Sequence, residues 1–162
     1  STIVMRYDML HLAPPQSAPD VVRNSPLAYA DGPNKGWLEV DIHTLQHKRY
    51  PNIFGLGDVA ALPTAKTGAA IRKQAPVVVA NILQRIKDGA LSTEQYSGYS
   101  SCPLVTGYGK MLLAEFKYDN VRDSDPLLSR FFDTSKPLWS MWVLKKYLLP
   151  WLYWNRMLKG TM

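Results

Sequence analysis

The stretch Asn52-Ile53-Phe54-Gly55-Leu56-Gly57-Asp58, followed after a short loop by a helix-period segment, constrains the fold most. An apolar run closed by Gly-x-Gly reads as a short strand that ends where backbone must approach another group closely. The loop from Val59 to Thr67 carries Pro63 and Lys66. From Gly68 to Lys87, Ala69, Ala70, Ala75, Val78, Val79, Ile82, Leu83 and Ile86 recur at helical spacing. This predicts a buried helix, kinked or broken at Pro76 and stopped by Asp88-Gly89. A strand–turn–helix of this kind belongs to the α/β class.

Further elements are expected on either side. Ser1 to Met9 reads as a strand ended by Pro14-Pro15, and Ala18 to Arg23 as a short helix with Pro19 at an early position. Trp37 to Asp41 alternates like a strand after the turn Ala30–Gly36, with Thr44 to Tyr50 as a connector. Tyr96 to Tyr108 reads as a Ser/Gly/Tyr/Pro loop, Lys110 to Tyr118 as a strand, and Val121 to Lys136 as a polar connection. The start, Ser1-Thr2-Ile3-Val4-Met5, reads as the middle of a strand, which suggests the carboxy-terminal part of something longer.

Composition removes several classes. The 162 residues suit one domain or a piece of a larger protein. Hydrophobic residues make up 46% and charged residues 20%, which excludes a disordered chain. A single Cys excludes a disulfide framework within the chain, and three scattered His argue against an all-protein metal site. There is no apolar run of about 18 residues, hence no conventional membrane span.

The net charge of +6 is distributed unevenly. Trp139, Trp142, Trp151 and Trp154 cluster near the end with Lys145, Lys146, Arg156 and Lys159. Trp, Leu and basic residues so mixed suit one or two short amphipathic helices lying on a membrane surface, interrupted by Pro150. Core packing is the plainer alternative, but the apolar positions cover much of the circumference, which membrane contact or a dimer interface explains better. A basic surface also suits nucleic acid, but no RNA-binding motif, zinc knuckle or Arg-rich helix is present, so no nucleic-acid partner is expected.

Two further motifs carry chemistry. Gly57 and Asp58 at the strand end, with Lys66 and Thr67 where the helix opens, suit a flavin. The Asp accepts hydrogen bonds from sugar-alcohol hydroxyls, and the helix N-terminus offers free N–H groups to developing negative charge. A structural turn with Asp58 as a cap fits the same residues, and Lys66 fits a solvated loop charge; spacing leaves these open. Cys102, in Ser101-Cys102-Pro103-Leu104-Val105-Thr106-Gly107-Tyr108, is either a small buried residue or a reactive thiol.

Taken in order, these motifs resemble the carboxy-terminal part of the sulfide:quinone oxidoreductase family. The resemblance also rests on Tyr7-Asp8-Met9-Leu10-His11, Tyr50-Pro51 ahead of the glycine turn, Leu62-Pro63-Thr64-Ala65-Lys66-Thr67, Leu113-Ala114-Glu115-Phe116 and Leu152-Tyr153-Trp154-Asn155. It implies the end of a two-dinucleotide-binding-domain flavoprotein, an α/β (α+β) fragment with amphipathic membrane-associated helices. Residues 1–50 would close the second dinucleotide-like domain, 51–95 would give the last strand and helix of the FAD domain, and 96–162 the redox loop, quinone pocket and membrane-facing tail. It further implies FAD held near Gly57, Asp58, Lys66 and Thr67, Cys102 as one of a redox pair, and quinone near Phe116 and Tyr118. Sulfide and quinone would be the substrates, at the surface of a bacterial or mitochondrial inner membrane. The amino-terminal Gly-x-Gly-x-x-Gly and the partner cysteine are absent from this sequence and would lie in a missing amino-terminal part. Two alternatives stand beside this: an NADH:quinone oxidoreductase-like flavoprotein, which needs no such thiol, and a non-catalytic membrane-binding or interaction module.

Overall fold

The computed structural model describes residues 3–161. Its longest element is α2, Gly68–Asp88. Thr67 caps its start, accepting from the Ala70 N–H, and Gly89 closes it at φ +79°, a left-handed conformation that glycine adopts without strain. Pro76 lies inside the helix without breaking it. The expected buried helix is buried on one side only. Ala70, Gln74, Val77, Val78 and Asn81 face inward, while Val79, Ile82, Leu83 and Ile86 are exposed.

The only sheet among the described residues is an antiparallel hairpin of β1, Ser100–Gly107, and β2, Lys110–Phe116. Cys102 faces Ala114 across it, and a register shift between Val105 and Gly107 precedes the Tyr108-Gly109 turn. The sequence predicted a loop over Tyr96–Tyr108; most of it is strand. The apolar run Met111–Phe116 gives the first half of the motif a partner, and that pairing outweighs its Ser, Pro and Gly content.

Other expected strands are not formed. Residues 3–13 are exposed and form no strand or bridge, so the strand expected over Ser1–Met9 is absent there, and Ser1 and Thr2 lie outside the described residues. Trp37–Asp41 and Asn52–Asp58 contribute isolated bridges only: Leu38 to Ala28 and Ala60, Val40 to His47, Phe54 to Gln46. The latter run ends in a 3₁₀ turn, Gly57–Val59, instead of a continuous strand. Single bridges knit the chain where turns at Pro26, Pro33 and Pro51 recur too often for ladders to lengthen.

Two small cores result. Leu45, Val77, Val78 and Tyr96 pack with Phe54, Leu56, Leu62, Tyr99 and Tyr118, and Leu38, Val40 and Ala60 pack with Val22, Leu27 and Val59. Buried His47 belongs to the scaffold. Its Nε2 donates to the Leu27 carbonyl at 2.9 Å, and its Nδ1 accepts from the Arg49 and Tyr50 N–H groups, which sets the neutral tautomer. The short helices α1, Asp20–Arg23, and α3, Pro126–Ser129, flank this body. Of the one or two helices expected in the tail, one nearly continuous helix forms, and Pro150 near the start of α5 does not interrupt it: α4, Trp139–Val143, a π-helical turn, Leu144–Leu148, and α5, Leu149–Asn155. Elements of this kind and order make an α+β fold.

Candidate functional site

Gly57 turns the chain at φ +74°, where a side chain would be strained, and its N–H donates 2.7 Å to Oε1 of Gln74. Gln74 is 2% exposed and projects from the first half of α2, so helix and turn are fixed to each other by a buried polar bond. Asp58 follows with an exposed side chain. It does not cap α2; Thr67 does.

Lys66 curls back over this turn. Its Nζ donates to the carbonyls of Asp58 at 2.6 Å and Ala60 at 2.8 Å, and sits 4.0 Å from the centre of the Trp37 ring. Burial holds its ammonium below the ordinary lysine range, with partial compensation from the Asp58 charge. Lys66 is therefore an organising cation, not a freely solvated loop charge. Gly57, Lys66 and Thr67 line one small concavity with Ala60, Thr64 and Gln74, with room for about one water molecule, 10 Å³.

The hairpin meets this site at its first residue. Ser100 is fully buried, and its Oγ lies 3.3 Å from Thr67 Oγ1 and 3.3 Å from the Ala65 carbonyl. Thr64 Oγ1 donates 2.8 Å to the Gly98 carbonyl just before it. Alternation along a strand puts Ser100 and Cys102 on the same face of β1, the face that meets the start of α2. Cys102 is half-buried two residues along, about 7 Å by strand rise. Ser101 and Glu115 face each other on the opposite side, both buried. There Glu115 accepts the Tyr99 hydroxyl at 2.7 Å and the Asp125 N–H at 3.0 Å. Burial, then the Glu115 carboxylate, push the Tyr99 hydroxyl well up. Lys110, the cation nearest to Cys102 in sequence, stands exposed at the hairpin's far end.

Phe116 ends β2 opposite Ser100 and is half-buried. Tyr118 lies against Gly98, donates 2.6 Å to the Ile42 carbonyl and meets the His43 and Tyr96 rings edge-on. Its hydroxyl is thus occupied, and burial pushes its ionisation up. The ring forms one wall of a groove of about 380 Å³ shared with His43, Tyr96 and Lys117.

The tail docks through Met141, 2% exposed, and through Lys145 Nζ on the Pro103 carbonyl at 2.7 Å. Trp139, Trp151 and Trp154 are 68%, 53% and 64% exposed. No helix of the described residues is long and apolar enough to cross a membrane.

Gly57, Lys66 and Thr67 thus come together, Cys102 lies on the adjoining strand face, and Phe116 joins by register; Tyr118 stands on a separate groove. Gln74, Trp37 and Ser100 carry no site role in the sequence reading, and Lys145 enters it only as one of the tail's basic residues. Gln74 left a signal: it is polar on the stripe Ala70-Gln74-Val78, which is otherwise apolar.

No protein-family model matches the chain. Among curated proteins, it is 46% identical over 159 residues to "Sulfide:quinone oxidoreductase, mitochondrial" of Mus musculus, covering 98% of this chain and 33% of that protein. The protein of the same description from Dictyostelium discoideum is 47% identical over 157 residues, 96% of this chain and 33% of its own. That of Schizosaccharomyces pombe is 42% identical over 150 residues, 92% and 32%. The chain spans about a third of the length of the curated relatives it matches. Among solved structures, a chain in the cryo-EM structure of the Tetrahymena thermophila mitochondrial ATP synthase is similar, with a TM-score of 0.66 and 31% identity over 85% of this chain and 32% of that one.

Proposed function

We propose, from the premise that this chain belongs with the sulfide:quinone oxidoreductases about a third of whose length it matches, that it is a carboxy-terminal part of such an enzyme and contributes one redox sulfur and part of a flavin site. The observation that carries the reading is the Ser100–Thr67 contact, because it seats the Cys102 strand on the opening of α2 beside the Gly57 turn.

The residues there suit FAD. A positive-φ glycine lets backbone approach, an exposed Asp58 carboxylate is available to hydroxyls, and the first-turn N–H groups of α2 point at whatever lies before it. When bound, FAD supplies a two-electron carrier between sulfur and quinone. Lys66 holds the turn and adds positive charge, which also favours a small anion such as hydrosulfide near the site. Cys102 is one sulfur of a pair whose partner lies outside this sequence. Sulfide gives up two electrons, and quinone takes two electrons and two protons.

Phe116 and Tyr118 are proposed to line the quinone pocket. Tyr118 offers a ring face there, since its proton is engaged by the Ile42 carbonyl. The Trp-rich tail lies on the membrane surface, with its indoles at the water boundary. The relatives' mitochondrial designation suits attachment to the inner membrane of that organelle.

The test is sulfide-dependent quinone reduction by the full protein carrying Cys102→Ser. Turnover is expected to vanish, and retained turnover sinks the redox role. Flavin bleaching by NADH alone, without sulfide, would favour the NADH-linked alternative. One observation favours a second reading, a non-catalytic interaction module: a chain with 31% identity occurs in the structure of an ATP synthase. A protein that binds a partner and shows no sulfide-dependent turnover would establish it.

A further inference from the structure

Positive charge is segregated in this chain. Segments 100–114 and 137–162 contain no Asp or Glu and carry Lys110, Lys145, Lys146, Arg156 and Lys159, whereas the remainder balances to within one charge. These segments are most of the β1–β2 hairpin and the tail, and they pack on each other. Leu138, just before α4, exchanges backbone hydrogen bonds with Met111 at 2.9 and 3.3 Å. The Tyr108 and Trp142 ring centres lie 5.5 Å apart, and the Trp139 ring stands beside Gly109. The Lys146 ammonium is 4.8 Å from the Trp142 ring centre and 5.1 Å from that of Tyr147. Hairpin tip and tail thus share one aromatic and basic surface.

The tip is where this surface is most open. Tyr108, between Gly107 and Gly109 in the turn, is 93% exposed, and Val105 is 53% exposed. Turns in water favour Gly, Pro, Asn, Asp and Ser, and a tyrosine ring gains nothing from solvent there. Tyrosine has an apolar body and a polar hydroxyl, which suits the boundary between water and lipid. Lys110 stands exposed two residues on, and its long stem lets the charge reach headgroups. An anionic bilayer answers both features. Exposed aromatic and aliphatic side chains enter its boundary, and positive charge unbroken by any carboxylate meets its headgroups.

We propose that the tip of the β1–β2 hairpin is a second membrane contact, in which Val105 and Tyr108 enter the boundary of an anionic bilayer and Lys110 meets its headgroups. The inference rests on the reading of the tail as a membrane face, and adds to it a surface from a different part of the chain. Two contacts fix the orientation of the hairpin on the lipid, where a single helix leaves it free to roll. The hairpin's other end is seated by Ser100 on the opening of α2, so the tip sets how that region faces the bilayer.

The full protein is mixed with vesicles of phosphatidylcholine and phosphatidylserine, and the bound fraction is measured by sedimentation. With the tail intact, Val105→Ser combined with Tyr108→Ser is expected to weaken binding about tenfold, and Lys110→Gln about fivefold. Vesicles of phosphatidylcholine alone should bind the parent about tenfold more weakly. Parental binding by the Val105/Tyr108 variant, or equal binding of the parent to both kinds of vesicle, overturns the proposal. Should the double variant fail to fold, Tyr108→Ser alone takes its place: weaker binding supports the tip contact and parental binding overturns it. A tip variant that changes oligomeric state in gel filtration yet binds vesicles as the parent does assigns the tip to a second copy, and overturns it too. Tip and tail fail separately. Binding lost in the tip variant but kept in Trp151→Ala with Trp154→Ala removes the tail's role and leaves the tip's, whereas the converse removes the tip's and leaves the tail's.

Discussion

The segment around α2 and the tail helix hold their places by opposite means. α2 is capped at both ends, buries one face, and is tied to the rest of the chain by polar side chains that are themselves buried. Gln74 holds the Gly57 turn, and Asn81 donates to the Thr44 carbonyl and accepts from Ser92. The tail has no side-chain cap on α4 or α5, carries a π turn at its middle, and leaves Trp139, Trp151 and Trp154 more than half exposed. It meets the hairpin through buried Met141, the Lys145–Pro103 bond and the Trp142–Tyr108 ring contact. The contrast teaches that buried polar ties gather around the glycine turn, whereas the tail leaves much of its apolar surface exposed.

The contrast can be broken or sharpened by substitution. The largest effect is expected at Gly98, which sits at φ +85° with the Tyr118 ring directly against it. Gly98→Ala adds backbone strain and displaces that ring, and should destabilise by about 3 kcal/mol in chemical denaturation. A change close to zero would mean that the Tyr96–Tyr118 core is not where stability resides. Gln74→Leu removes the acceptor of the Gly57 N–H and should cost about 2 kcal/mol, with a parallel loss of flavin retention in the full protein. Thr67→Ala removes the α2 cap and should cost about 1 kcal/mol.

On the other side of the comparison, Trp151→Ala combined with Trp154→Ala should shift stability in water by less than about 0.5 kcal/mol, yet lower binding to anionic lipid vesicles about tenfold. Unchanged vesicle binding would sink the proposal of a membrane surface.

pH offers a further probe of the packed side. Tyr99 and Tyr118 ionise in the folded chain well above their ordinary value of 10, through burial first and then neighbouring negative charge. The unfolded chain therefore loses these protons first. Their contribution is complete below about pH 10 and falls away as pH rises above it. Lys66 acts in the other direction. Its folded value is depressed, so its burial costs stability while it is charged, and that cost is relieved as pH rises through the folded value. Absorbance titration of tyrosine ionisation alongside denaturation above pH 10 should show protected tyrosines and a net fall in stability, and full ionisation at the ordinary value would contradict the packing.

Much of the α2 region was legible in sequence because its signals are local. The periodic apolar residues, Thr67 and Gly89 mark the helix and its ends without reference to any other segment. The hairpin was half legible. Met111–Phe116 announces itself by composition, whereas Ser100–Gly107 resembles a loop until β2 supplies its hydrogen bonds. The strands expected over residues 1–9 and 52–58 failed for the complementary reason: their patterns suit strands, but among the described residues they meet no long partner.

By itself, the sequence determined which residue types are available for chemistry: a single thiol, a glycine-rich turn with its aspartate, a lysine–threonine helix opening, and a tail crowded with indoles. Tertiary structure alone decided which of them meet. Ser100 reaches Thr67 across 33 residues, and Lys145 reaches Pro103 across 42. Such bonds depend on how separate elements pack, and side-chain reach, strand alternation and an irregular helical turn leave no periodic mark in the amino-acid order that would announce them.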